Sequence, residues 1–222
     1  MTIPAAVTLY ENLMKVARVR LDAIRALRNA SFDTFSRAEA AALHGRKVVE
    51  SIAFACLVAL DHGVNQVPRD AKGQWSAEAI FGSLKKKGLN VLPSPSVLRA
   101  PTAEEIAKQG PIKSTIQGVA ERRLTLDELR AIYMRPHKWL HELNPYVESD
   151  RTAFASAHEA DLWADLERVD GFIDRHFISI RGQGFGGQRQ VGERREAAKA
   201  LAEQAPPLDA EFGADQFEVA ND

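Results

Sequence analysis

Cysteine is almost missing from this 222-residue chain, with Cys56 standing alone. One thiol can close no internal disulfide and can build no cysteine-based zinc site. Long apolar runs are missing too. None approaches the ~18 residues that a membrane span requires, and the first residues lack the layout of a signal peptide. A soluble, cytoplasmic protein with no membrane partner is the expectation. Net charge is equally scarce: Lys and Arg number 29 against 30 Asp and Glu, a balance of -1. That excludes a whole-chain electrostatic grip on nucleic acid and leaves room only for a local basic face. No internal repeat is present. What remains is an ordinary globular composition, 45% hydrophobic and 27% charged, in a chain long enough to bury a core without covalent staples.

Helices should dominate that core. From about Pro4 to Ala30, the residues Leu9, Leu13, Val16, Leu21, Ile24 and Leu27 recur at helical steps and are expected to line one buried face. Pro4 suits a helix start, where its missing amide proton would have no partner. Lys15, Arg18, Arg25 and Arg28 fall mostly off the stripe and read as a solvated face. A second helix, about Phe35 to Asp61, is apolar nearly all round from Val48 to Leu60, as a central helix is. Glu50 sits inside that run. A buried carboxylate without a partner is costly, so Arg46 or another cation is expected beside it.

Beyond Gly63 the local signals alternate. Val64 to Gly73 reads as a loop, and Trp75 to Lys87 as a short helix ended by Gly88, with Lys85, Lys86 and Lys87 at its negative end. Leu89 to Pro101 carries Pro93, Pro95 and Pro101 and should run extended over a surface. Thr102 with Glu105, and Thr125 with Glu128, have capping-box spacing and should each start a helix. Ile112 to Val119 alternates weakly, as a strand would. Asp150 should cap a helix from about Arg151 to His176, with Phe154, Leu162, Leu166, Val169 and Ile173 buried and Trp163 close to them. Ile178–Ile180 and Arg189–Val191 flank a glycine-rich turn and are placed to pair, and a last short helix should span Glu193 to Glu203. The expected fold class is therefore all-α: one helical bundle over residues 1–204, decorated by the extended proline-rich segment and a small C-terminal β-hairpin. Residues 205–222 hold five acids and no Lys or Arg, and read as a flexible acidic tail.

The densest chemistry lies in Tyr133-Met134-Arg135-Pro136-His137-Lys138-Trp139-Leu140-His141-Glu142-Leu143-Asn144-Pro145-Tyr146. Pro136 cannot sit inside a helix, so either the helix kinks there or a new one begins. An arginine and a histidine brought together suit phosphodiester chemistry. The guanidinium holds a phosphate through two parallel hydrogen bonds and stabilises developing charge, while an imidazole moves a proton to or from a ribose or leaving oxygen near neutral pH. No metal is needed. The plainer alternative is that His141 and Trp139 pack in the core and Arg135 makes a structural ion pair.

Arg135 followed by five residues and His141 is similar to the Arg-x4-6-His motif of the HEPN superfamily. The segment Arg46-Lys47-Val48-Val49-Glu50-Ser51-Ile52-Ala53 also resembles an early core helix of such proteins, in which an arginine and a glutamate are common. The resemblance covers about residues 5 to 178. It implies a compact helical bundle, often homodimeric, with two motif copies meeting at the interface. It further implies a metal-independent RNA endonuclease of toxin–antitoxin or defence systems, or a non-catalytic relative that docks on a protein partner or antitoxin. On that resemblance Arg135 orients the phosphate, His141 acts as general acid or base, and His137 assists. The chain departs from the pattern after the arginine, where active members often carry Asn, His or Asp and Pro136 stands here.

Two further patterns carry less. His137 and His141 are four apart, so on a continuous helix they share a face and are two potential metal ligands, but a site needs a third from Glu142, His158 or His176. No metal is assigned. Gly182-Gln183-Gly184-Phe185-Gly186-Gly187 spells G-x-G-x-x-G without the strand, helix and later acid that dinucleotide binding requires, so it reads as a turn or loop and no cofactor is assigned. Cys56, within an apolar run, reads as a small core residue rather than a nucleophile.

Overall fold

The computed structural model describes residues 3–31, 33–61, 67, 69–89, 91–147, 150–180, 183–188 and 217–220. The fold is mainly α. Among the described residues, helices α1 (Ile3–Arg28) and α2 (Thr34–Asp61) are the longest and pack along each other. Polar groups close the turn between them, as unpaired helix ends require. Asp33 accepts the Ser36 backbone N–H at 3.0 Å at the start of α2. Arg37 donates back to the Arg28 and Ala30 carbonyls, each at 3.3 Å.

The α1 periodicity is helical as expected, but the buried face is rotated from the expected one. Ala6, Tyr10, Met14, Ala17, Leu21 and Ile24 are buried, while Leu9 and Val16 are exposed. Counting only the strongest hydrophobes blends two stripes, because alanine, tyrosine and methionine carry much of the true core face. α2 is central, with buried residues on nearly every side. Its small residues set the closest approach: a Cβ at Gly45 would collide with the Leu166 side chain of α7 (Arg151–Asp174). Glu50 has the cation it needs. Lys47 Nζ lies 2.6 Å from one carboxylate oxygen and Arg46 Nε 3.9 Å from the other, which also accepts the Tyr133 hydroxyl at 3.3 Å.

The short α3 (Arg69–Lys72) leads to α4 (Ala77–Lys86), which stops at Gly88 with φ 65. That left-handed turn lets Leu89 N–H reach the Leu84 carbonyl at 3.0 Å. Both capping boxes form, Thr102 with Glu105 at α5 (Ala103–Gln109) and Thr125 with Glu128 at α6 (Leu126–Met134). Asp150 caps α7, accepting from the Thr152 and Ala153 backbone N–H groups. Phe154, Leu162, Leu166, Val169 and Ile173 of α7 are all buried.

An all-α class does not account for the sheet. The proline-rich segment contains strand β1 (Ser94–Arg99), which pairs antiparallel with β2 (Ile112–Gly118) on one side and β3 (Arg175–Ile180) on the other. Pro95 lies near the start of β1, before the β1–β2 register begins at Ser96, and its carbonyl accepts the Val119 N–H at 2.8 Å. β3 also pairs with β4 (Gln183–Gln188), and β2 with β5 (Phe217–Ala220), giving the order β4-β3-β1-β2-β5. The glycine-rich segment thus runs as a strand from Gln183, where a turn or loop was expected. β5 falls within residues 205–222, and the remainder of that stretch lies outside the described residues, as do Arg189–Val191 and Glu193–Glu203. No helix among the described residues is long and apolar enough to cross a membrane.

Candidate functional site

The site grows from the end of α6. Its capping box fixes where the helix starts, and Pro136 tightens the chain after Met134 into a 3-10 turn over Arg135–Trp139. Pro136 and Trp139 are the buried members of that turn. Trp139 anchors it against both long neighbouring helices, with its ring 5.5 Å from Phe35 at the start of α2 and 4.9 Å, edge to face, from Phe154 at the start of α7. With these two residues inward, Arg135, His137 and Lys138 face solvent, and His141 follows in the exposed chain. His141 is not sealed in the core. Of the plainer reading, the Trp139 part and the Arg135 ion pair hold, and the buried histidine does not.

The two histidines meet. His137 Nε2 and His141 Nε2 are 3.2 Å apart, with ring centroids 4.4 Å apart in an edge-to-face arrangement. One imidazole must donate and the other accept, so the neutral pair shares a single N–H between two ring nitrogens. Arg135 is held differently. Its Nη2 and Nε reach the two carboxylate oxygens of Asp165, each at 2.6 Å, a two-pronged pair with a buried acid on α7. Burial raises the Asp165 pKa from its ordinary value, and the Arg135 charge works against that rise. Half of the Arg135 side chain remains exposed. Lys138 Nζ lies 5.9 Å from the Phe154 ring and the Arg151 guanidinium 4.9 Å from the Phe35 ring, the two aromatics that hold Trp139. Arg151 also donates to Glu142 at 2.9 Å.

The third metal ligand does not arrive. Among the described residues no group of three His, Cys, Asp or Glu side chains converges. Glu142 is paired with Arg151, and His158 stacks on Phe154 at 4.7 Å. His176 is buried far along the chain against Tyr10, whose hydroxyl lies 2.8 Å from its Nε2, while its Nδ1 faces the Ile173 carbonyl at 3.2 Å. With Nδ1–H donating to that carbonyl, Nε2 accepts from Tyr10. Burial first, and the Arg18 charge second, push the His176 pKa down to about 4. Cys56 is fully buried, and burial pushes its thiol up to about 12, which fits a core residue.

Sequence reasoning missed Asp165, because a partner thirty positions away on another helix leaves no local spacing. It also missed the Tyr10–His176 pair, whose members are 166 positions apart. The Arg46 and Tyr133 contact was half visible. Arg46 stacks on the Tyr133 ring at 4.0 Å and donates to its hydroxyl at 2.7 Å, so the α2 arginine is tied to the helix that delivers Arg135. Compared with protein-family models, with curated proteins and with solved structures, the chain has no match.

Proposed function

We propose that this chain is a HEPN-like single helical bundle, edged by a C-terminal β-hairpin, that binds and cleaves RNA without a metal. The observation that carries this reading is that one short segment presents a half-exposed arginine and, after it, two imidazoles in contact with each other. Arg135 holds the phosphodiester with the face of its guanidinium that Asp165 leaves free. Asp165 fixes the direction of that guanidinium, as a positioning residue. His141 moves the proton, and His137, in Nε2–Nε2 contact with it, assists. Lys138, exposed on the same segment, adds a positive charge for the RNA backbone. The setting that goes with such a protein is a cytoplasmic defence or toxin–antitoxin system, with a homodimer as the working unit.

The competing reading is a non-catalytic module that dimerises or docks on a protein partner. The two-pronged Arg135–Asp165 pair favours it, since the carboxylate already occupies the hydrogen-bonding edge a phosphate would use. Incubation of total cellular RNA with the purified protein in excess chelator separates the two. The nuclease reading expects cleavage by the wild type that His141→Ala abolishes and Arg135→Lys weakens, with unchanged helical content. No cleavage by any folded variant refutes it, and equal cleavage by wild type and His141→Ala places the activity elsewhere.

A further inference from the structure

Helix α1 carries a second apolar stripe that the core does not use. Leu9, Asn12, Val16, Val19, Ala23 and Ala26 follow one another at alternating steps of three and four, the spacing of a coiled-coil seam. Leu9 is 38% exposed, Val16 49% and Val19 63%, whereas the buried residues of α1 lie on the opposite side. Asn12 and Ala26 are exposed and Ala23 is half-buried. At 1.5 Å per residue the seam is about 26 Å long, with Asn12 its one polar member.

We propose that this face is a homodimer interface in which α1 packs antiparallel on α1 of a second copy. The occupant follows from self-complementarity. In the full-overlap antiparallel register, Val16 meets Val19 of the second copy twice across the two-fold axis. Asn12 then faces Ala23, and Leu9 faces Ala26, so each larger side chain opposes a smaller one at the ends. The same register sets Lys15 opposite Asp22 of the second copy, again twice, on the flank of the seam. Both residues are exposed in the single chain. A parallel arrangement would instead set Lys15 against Arg20 of the second copy, a like-charge contact that disfavours it. Asp22 also accepts from Arg25 of its own helix at 3.2 Å, and Arg25 keeps its stronger contact to Asp170 if Asp22 is changed.

This inference deepens the homodimer of the proposed function but does not rest on RNA cleavage, because it is tested without activity. It also gives the dimer a contact that the Arg135 motif does not supply. Sedimentation velocity of the full chain over a dilution series should show a monomer–dimer equilibrium. Val19→Glu buries an unpaired charge in the central layer, so it should weaken the dimer by about tenfold or more. Because Val19 is exposed in the monomer, circular dichroism and the urea midpoint should stay unchanged. Lys15→Glu should weaken the dimer, and Lys15→Glu with Asp22→Lys should restore it by exchanging the partners across the axis. A chain that is monomeric at its highest soluble concentration overturns the proposal, as does a dimer that Val19→Glu leaves intact. A double charge exchange that fails to recover dimerisation overturns the antiparallel register.

Discussion

Replacing His176 should remove a defined part of the pH dependence of folding. His176 is 1% exposed and stays neutral in the folded chain down to about pH 4. In the unfolded chain a histidine takes up its proton near pH 6.5. Between those two values the unfolded state binds more protons than the folded one, so acid favours unfolding. The stability that depends on neutral His176 is complete above pH 6.5, falls by at most about 1.4 kcal/mol per pH unit, and is lost once pH drops below about 4. The span corresponds to about 3 kcal/mol, a large share of a small domain's stability. Urea denaturation of the wild type and of His176→Gln, from pH 8 to pH 4.5, measures it. Glutamine retains an acceptor for the Tyr10 hydroxyl but has no proton to gain, so the wild type should lose stability relative to the variant as pH falls. Carboxylates and the other histidines titrate in both proteins and cancel in the difference. Tyr10→Phe is the companion variant: it leaves Nε2 buried without a donor and should cost about 1–3 kcal/mol at pH 8 while keeping the acid slope. Parallel stability curves for wild type and His176→Gln would refute the assignment.

Other expected outcomes rest on separate contacts. Gly45→Ala should lower the urea midpoint, because the new methyl meets the buried Leu166 side chain and overpacking costs about 1–3 kcal/mol; combining it with Leu166→Ala should show a favourable coupling, and a raised midpoint for Gly45→Ala alone would contradict the close approach. Arg135→Met strands the buried Asp165 carboxylate and should cost about 2 kcal/mol at neutral pH, discounted because the guanidinium is half-exposed. Since the Asp165 pKa is already raised by burial, that loss should shrink as pH falls and the acid takes up its proton, which thermal unfolding at pH 7 and pH 5 will show. Cys56 should resist alkylation by iodoacetamide in native buffer and react fully in urea, because its thiol is buried and stays protonated.

Much of the helical framework was legible because its signals are local. Thr125 with Glu128 and Asp150 mark helix starts by what lies within three residues of them, and the structure shows each bond. α2 was readable from its unbroken apolar run. The core face of α1 was not, since two apolar stripes share that helix and only packing against α2 decides between Tyr10 and Leu9. The sheet was only partly visible. Three prolines gave Leu89–Pro101 the look of a surface strap, and nothing local announces that Ser96 and Val97 pair with Gly118 and Gln117. In the candidate site, the histidines are only four positions apart, so their contact is local, whereas the Arg135–Asp165 pair depends on how α6 and α7 come together. Position along the chain encodes the first and conceals the second.

The way the sheet is assembled bears on the order of folding. α1 and α2 are neighbours in the chain, so their contacts close short loops and can form early. Every contact of β3 with β1, and the bond between His176 and Tyr10, joins segments made far apart in time during synthesis. The α1–α2 pair therefore leaves the ribosome well before α7 and β3 exist to cover it. Until they arrive, the surface of α2 around Gly45 that α7 later covers stays open to water and to other chains.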